Sequence, residues 1–254
     1  MKTKNKDRFV HPQVELELCA ESFKSVKVAA DFGLNRIELC SALTVGGLTP
    51  SPGLVYRCSR SGDLAIHTMI RHREGNFHYT NQEINILFHD IHAMHKSGAK
   101  GVVFGCLDKH QNIDLKACYR LIETAKQLGL EITFHRAFDF CSDPFVALES
   151  LIDLGFDRVL TSGQQQTAEE GIGLIRQLTE QAAGRIQVMA GSGINKNNAT
   201  LLAEAGVNAL HFTAHKTASR NDPGMGLNRK VDKKKIQRII HSLNEWNKQK
   251  ENRS

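Results

Sequence analysis

No run of the chain approaches the roughly 18 uninterrupted apolar residues that a membrane-spanning helix needs, so no membrane partner is expected. The basic start, Met1 to Arg8, leads into no apolar core of a signal peptide, which points to an unexported, cytoplasmic protein. Paired cysteines in CxxC spacing are also missing. The six cysteines, Cys19, Cys40, Cys58, Cys106, Cys118 and Cys141, stand far apart, which argues against a zinc knuckle or a compact disulfide framework and fits reduced thiols. There is no HExxH motif. His89, His92 and His95 fall on more than one face of an expected helix (81–97) and belong at its surface. Aromatic residues make up only 6% of the chain. The lysines and arginines behind its net charge of +6 gather towards the two ends, with little of the ring interleaving that stacks bases, so nucleic acid is not an expected partner.

What is present is a composition, 41% hydrophobic and 24% charged, that can bury a sizeable core. Eight short apolar or β-branched runs alternate with longer amphipathic stretches: 14–19, 36–41, 65–70, 101–106, 131–136, 158–162, 185–190 and 208–213. Helix ends are marked by Asp143-Pro144, by Thr167 with Glu170 as a capping box, and by glycines at 33, 98, 129, 155 and 206. Eight βα units in a chain of this length predict an α/β fold: one (β/α)₈ barrel of the TIM type, over 13–248, between flexible ends 1–12 and 249–254. The stretch 216–231, which includes Asp222-Pro223-Gly224, is expected to be either a lid over the functional end or simply a long loop.

Side chains alternate along a strand, and the set facing the helices must be apolar. That rule turns Glu15, Glu17 and Cys19 of the first strand inward, and Glu38 and Cys40 of the second. It does the same for His67, Met69 and Arg71 of the third, Thr133 and His135 of the fifth, Gln187 and Met189 of the seventh, and His211 and Thr213 of the eighth. Strands four and six are apolar on both parities, and their phase stays open. Charges inside a barrel are costly unless paired or bound to something, and Glu38 with Arg71 is the expected architectural pair. The repeat Glu-x-Cys at 17–19 and 38–40 puts two thiols at neighbouring strand tips, where soft thiolates favour Cu(I) or Zn and where cysteines otherwise simply fill space. Gly191-Ser192-Gly193, followed by an expected helix from near Asn195, offers backbone N–H groups to an anion, although such glycines also serve steric needs alone.

The segments RIELCSALTVGGLTPSPG (36–53), TFHRAFD (133–139), RVLTSGQ (158–164) and MAGSGI (189–194), in this order on these strands, closely resemble the CutC copper homeostasis family over about Val14 to His215. The resemblance implies a TIM-type barrel, a cytoplasmic location, self-association as a dimer or tetramer, and a role in copper tolerance with Cu(I) bound by cysteines. The cysteine pair implicated in animal members matches Cys19 and Cys40. Further family-typical positions fall on Glu17, Glu38, Arg71, Arg73, His135, Arg136, Asp139, Ser162 and His211. The family's usual RPRGGDF reads Arg71-His72-Arg73-Glu74-Gly75-Asn76-Phe77 here, and a position that carries Cys in some relatives is Phe212.

Two functions follow. One is a copper homeostasis protein that holds Cu(I) through Cys19 and Cys40. The other is an enzyme, of lyase, isomerase or hydrolase type, on a small anionic or phosphorylated substrate. In it Glu17, Glu38, His135 and Asp139 move protons, while Arg71, Arg73, Arg136, Ser162, Gly191, Ser192, Gly193 and His211 hold the anion.

Overall fold

In the computed structural model, which describes residues 14–217 and 229–252, every one of the eight expected strands forms. The chain runs β1 (Glu15–Ala20), α1 (Phe23–Phe32), β2 (Arg36–Leu39), α2 (Pro52–Ser59), β3 (Ala65–Met69), α3 (Asn81–Lys96), β4 (Gly101–Phe104), α4 (Leu115–Gln127), β5 (Glu131–Phe134), α5 (Pro144–Leu154), β6 (Arg158–Thr161), α6 (Ile172–Ala182), β7 (Gln187–Gly191), α7 (Ala199–Glu204) and β8 (Ala209–Thr213). Each strand pairs in parallel with its neighbours, and β1 pairs with both β2 and β8, so the sheet closes as a barrel. A short antiparallel ribbon, β9 (His215–Thr217) with β10 (Arg229–Val231), follows β8 and leads into α8 (Lys233–Glu251). No described helix is long and apolar enough to cross a membrane.

The parity rule holds around the ring. Leu16, Leu18, Ile37, Leu39, Ile66, Ile132, Phe134, Val188 and Leu210 lie in one buried layer between strands and helices. The two open strands acquire a phase: Val102, Phe104 and Val159 join that layer, while Val103 packs inside the barrel with Cys19, Cys40 and Met69, and Leu160 with Met189 and Ala209. Thr213 keeps its inward parity and lines the mouth of the barrel, but it is exposed, because β8 ends there.

Helix ends differ more. Asp143 caps α5 as expected, accepting from the N–H groups of Phe145 and Val146 with Pro144 at the first helical position. The Thr167–Glu170 box also closes, with bonds of 3.0 and 3.3 Å, yet it encloses a single turn and α6 starts later, at Ile172. No helix starts near Asn195. Asn198 holds residues 193–198 as a turn, accepting from Asn195 N–H and donating to Gly193 O, and α7 begins only at Ala199. The central part of the stretch expected to be a lid or a long loop, 218–228, lies outside the described residues, as do 1–13. The last helix runs on to Glu251, past residue 248.

Candidate metal and ligand site at the barrel mouth

Strand register assembles the site. Cys19 of β1 pairs in register with Glu38 of β2, and Glu17 of β1 with His211 of β8, so side chains from three adjacent strands meet inside the barrel. Arg36, at the start of β2, closes this cluster from below. Its Nε donates to Glu17 and its Nη1 donates to Glu15 at 2.8 Å. Sequence reasoning passed over Arg36, although it shares the parity of Glu38 and Cys40 and so carried the signal. On its other oxygen Glu17 meets His211 Nδ1 at 2.7 Å, and His211 Nε2 lies 3.7 Å from Glu38. Glu38 Oε2 in turn sits 3.2 Å from Cys19 Sγ and 3.3 Å from Cys40 Sγ, and the two sulfurs are 3.9 Å apart.

The charges in this cluster sort themselves by proximity. Burial alone would raise the Glu17 carboxyl, but Arg36 first and then His211 hold it well below the usual carboxylate range. The hydrogen bond from Cys40 draws the Cys19 thiol down to about 5, against burial and with help from His211. The same contact, together with burial, pushes Cys40 well up. Burial and the neighbouring Cys19 thiolate raise Glu38, so its carboxyl keeps its proton. His211 is raised despite burial by the acidic groups around it, Glu38, Cys19 and Glu17. A thiolate with two proton donors beside an imidazolium is the resulting state.

Above the thiols opens a cavity of about 1220 Å³, lined among others by Cys19, Glu38, Arg71, His135, Arg136 and His211. Ser192 and Gly193 also reach it. Glu17 and Cys40 lie beneath its floor. Arg73 does not take part: it binds Glu83 of α3 at 2.5 Å and the carbonyls of Glu74, Asn76 and His78, fixing the loop after β3 from outside. Asp139 is taken up by structure, accepting from Arg136, Thr161, the N–H and hydroxyl of Ser162, and the N–H of Gln164. Ser162 is thereby a brace for Asp139 and Arg136 behind the cavity wall. Gly191 ends β7 against Leu160 and His211, where an added Cβ would come within 2.6 Å of Leu160 Cδ1.

The expected Glu38–Arg71 pair does not form. Arg71 extends into the loops after β2 and β3 and donates to the carbonyls of Val45, Gly47 and Gly75 at 2.8, 3.1 and 3.0 Å. Strand parity placed the side chain inside, but not how far beyond the strand end its long stem would reach.

A model of the CutC family matches residues 14–216. The chain belongs to the CutC family. A family protein CutC of Pasteurella multocida is 47% identical over 201 residues, covering 79% of this chain and 82% of the relative. One from Vibrio cholerae is 47% identical over 204 residues, 80% of each chain. The crystal structure of CutC from Streptococcus agalactiae, a protein assigned provisionally to copper homeostasis, superposes with a TM-score of 0.73 at 32% identity, covering 78% of this chain and 98% of that one. The CutC region therefore takes in the whole of β1 to β8 and every residue of the thiol cluster.

Proposed function

We propose that this CutC-family chain binds Cu(I) through Cys19 and Cys40 and serves copper homeostasis in the cytoplasm, where thiols stay reduced. The observation that carries the reading is the pair of buried sulfurs 3.9 Å apart. At that separation Cys19 and Cys40 can both hold one soft ion as thiolates. Two thiolates are the donors that favour Cu(I), and Met69, in the same apolar cluster, offers a thioether nearby. The loop over the pair is shaped to it: Gly47 has φ +91°, and a Cβ there would lie 3.3 Å from Cys40 Sγ and 3.5 Å from Met69 Cε. Cys19 already favours the thiolate, so ion binding has only the Cys40 proton to displace.

The test is an anaerobic Cu(I) titration against a competing chelator. Wild type is expected to take one Cu(I) per chain, and Cys19→Ser/Cys40→Ser to lose about 100-fold or more in affinity, as loss of both thiolates implies. A double variant that competes as well as wild type overturns the reading.

A further inference from the structure

An ion fills only a small part of a cavity of about 1220 Å³, and the cavity wall away from the sulfurs is built for something else. We propose that it is a binding site for a small organic oxyanion, a carboxylate or phosphate monoester that also carries a hydroxyl, held by Arg71 and His135 and touched by Glu38.

Arg71 is 5% exposed and carries a full charge, yet among the described residues no carboxylate pairs with it. Three carbonyls occupy its terminal nitrogens, and Nε is buried without a partner. Carbonyl dipoles satisfy hydrogen bonds but do not neutralise a buried cation, which favours an anion beside it. His135 is 4% exposed, and its Nδ1 accepts the Ala137 N–H at 3.2 Å. That bond leaves the ring proton on Nε2, and Nε2 is also buried without a partner, a donor with nothing to donate to. Burial, with Arg71 beside it, holds this histidine down at about 3, so at neutral pH it is a hydrogen-bond donor and not a second cation.

Both groups belong to one wall. The Phe77 ring stands 5.3 Å from the Arg71 guanidinium carbon and 4.9 Å from the His135 ring. Gly105 makes room for the imidazole: a Cβ there would meet His135 Nδ1 at 2.6 Å. Across the floor Glu38 Oε1 is a third buried polar atom without a partner, facing the same cavity at 2% exposure, and suits a ligand hydroxyl. The rim favours negative charge as well, since Arg71, Lys109, Arg136, Lys216, Arg229 and Lys235 line the cavity against the carboxyls of Glu38 and Asp108. Buried polar atoms are normally paired, so three unpaired ones around a single cavity mark the place of a ligand.

The test uses the full chain, with inorganic phosphate, glycerol 3-phosphate and lactate as probes. The readout is the imidazole ¹H–¹⁵N spectrum. At least one probe is expected to move the His135 Nε2 signal saturably, with a dissociation constant on the order of 1 mM. His135→Asn keeps an acceptor where Nδ1 stood and removes the Nε2 donor; calorimetry on this variant and on Arg71→Lys should show affinity down about ten-fold. Response to the phosphates alone, or to lactate alone, identifies the anion class and supports the site either way. His135→Asn, which touches neither thiol, should take up Cu(I) as wild type does, so loss of copper binding and loss of anion binding are read separately. No saturable movement with any probe up to about 50 mM overturns the proposal. So does an affinity unchanged in His135→Asn. The wild-type spectrum decides even where a variant fails to fold.

Discussion

Glu17 touches Arg36 through one oxygen and His211 through the other, and it has no exposure to water. Its charge is tolerable only because both neighbours are cationic. Replacing Arg36 by Met should therefore cost about 3–5 kcal/mol, the usual penalty for stranding one partner of a buried pair, and Glu17→Gln in the same chain should restore part of it. Urea denaturation of the two single variants and the double variant measures the coupling, and additive losses would show that the pair is not a unit. Cys19 depends on this cluster too. Alkylation of its thiol should follow a protonation midpoint near 5, and His211→Gln, which removes a positive neighbour, should move the midpoint upward. Mass spectrometry of the labelled peptide across pH 4–9 reads this directly. At this scale the sequence disclosed which residues point inward but not who meets whom. Arg36 was legible by parity from Glu38 and Cys40. The partners of Arg71 were not, because they are backbone carbonyls in loops with no period.

Among the elements, the strands were readable wherever apolar and polar residues alternate, as in β1, with Leu16 and Leu18 on one side and Glu17 and Cys19 on the other. In β4 and β6 both faces are apolar, the period carries no phase, and only packing decides that Val103 and Leu160 point inward. Helix starts were readable where the cap is a side chain next to the first turn, as at Asp143. They were misjudged where polar side chains stabilise an isolated turn first, as Thr167 with Glu170 and Asn198 with Gly193 do. The junction after β4 shows how an element end shapes the site. In Gly105→Ala the new Cβ, 2.6 Å from His135 Nδ1, must displace either the imidazole or the strand end. We expect a destabilisation of about 1–3 kcal/mol, as for other overpacked sites, together with loss of the Ala137–His135 bond, seen as a shifted Ala137 amide resonance. An unchanged melting temperature and an unmoved amide would mean that the wall is looser than drawn.

For the molecule as a whole, the charged interior fixes how stability varies with pH. His67 and His135 are both buried and held at about 3 against an ordinary value of 6.5, His67 by burial first, with Glu17 opposing and the charges of Arg36 and Arg158 adding to it. Unfolded, each takes up a proton near 6.5, so between 6.5 and 3 the unfolded chain binds about two protons more than the native one. Stability must then fall as pH falls through that window. Above 6.5 the sign reverses, because native His211 keeps a proton that the unfolded chain has released, and its contribution fades as pH rises towards its elevated pKa. Stability should therefore peak near pH 6.5–7. It should decline on the acid side with a slope approaching about 2.7 kcal/mol per pH unit and amount to a loss of about 3 kcal/mol by pH 5, and it should decline more gently on the alkaline side. Urea midpoints from pH 5 to 8 test this, with His67→Asn and His135→Asn each expected to remove about half of the acid slope. A wild-type midpoint that stays level from pH 6.5 down to 5 would mean that these imidazoles are not held neutral inside the barrel, and the orphan donor of His135 would go with them.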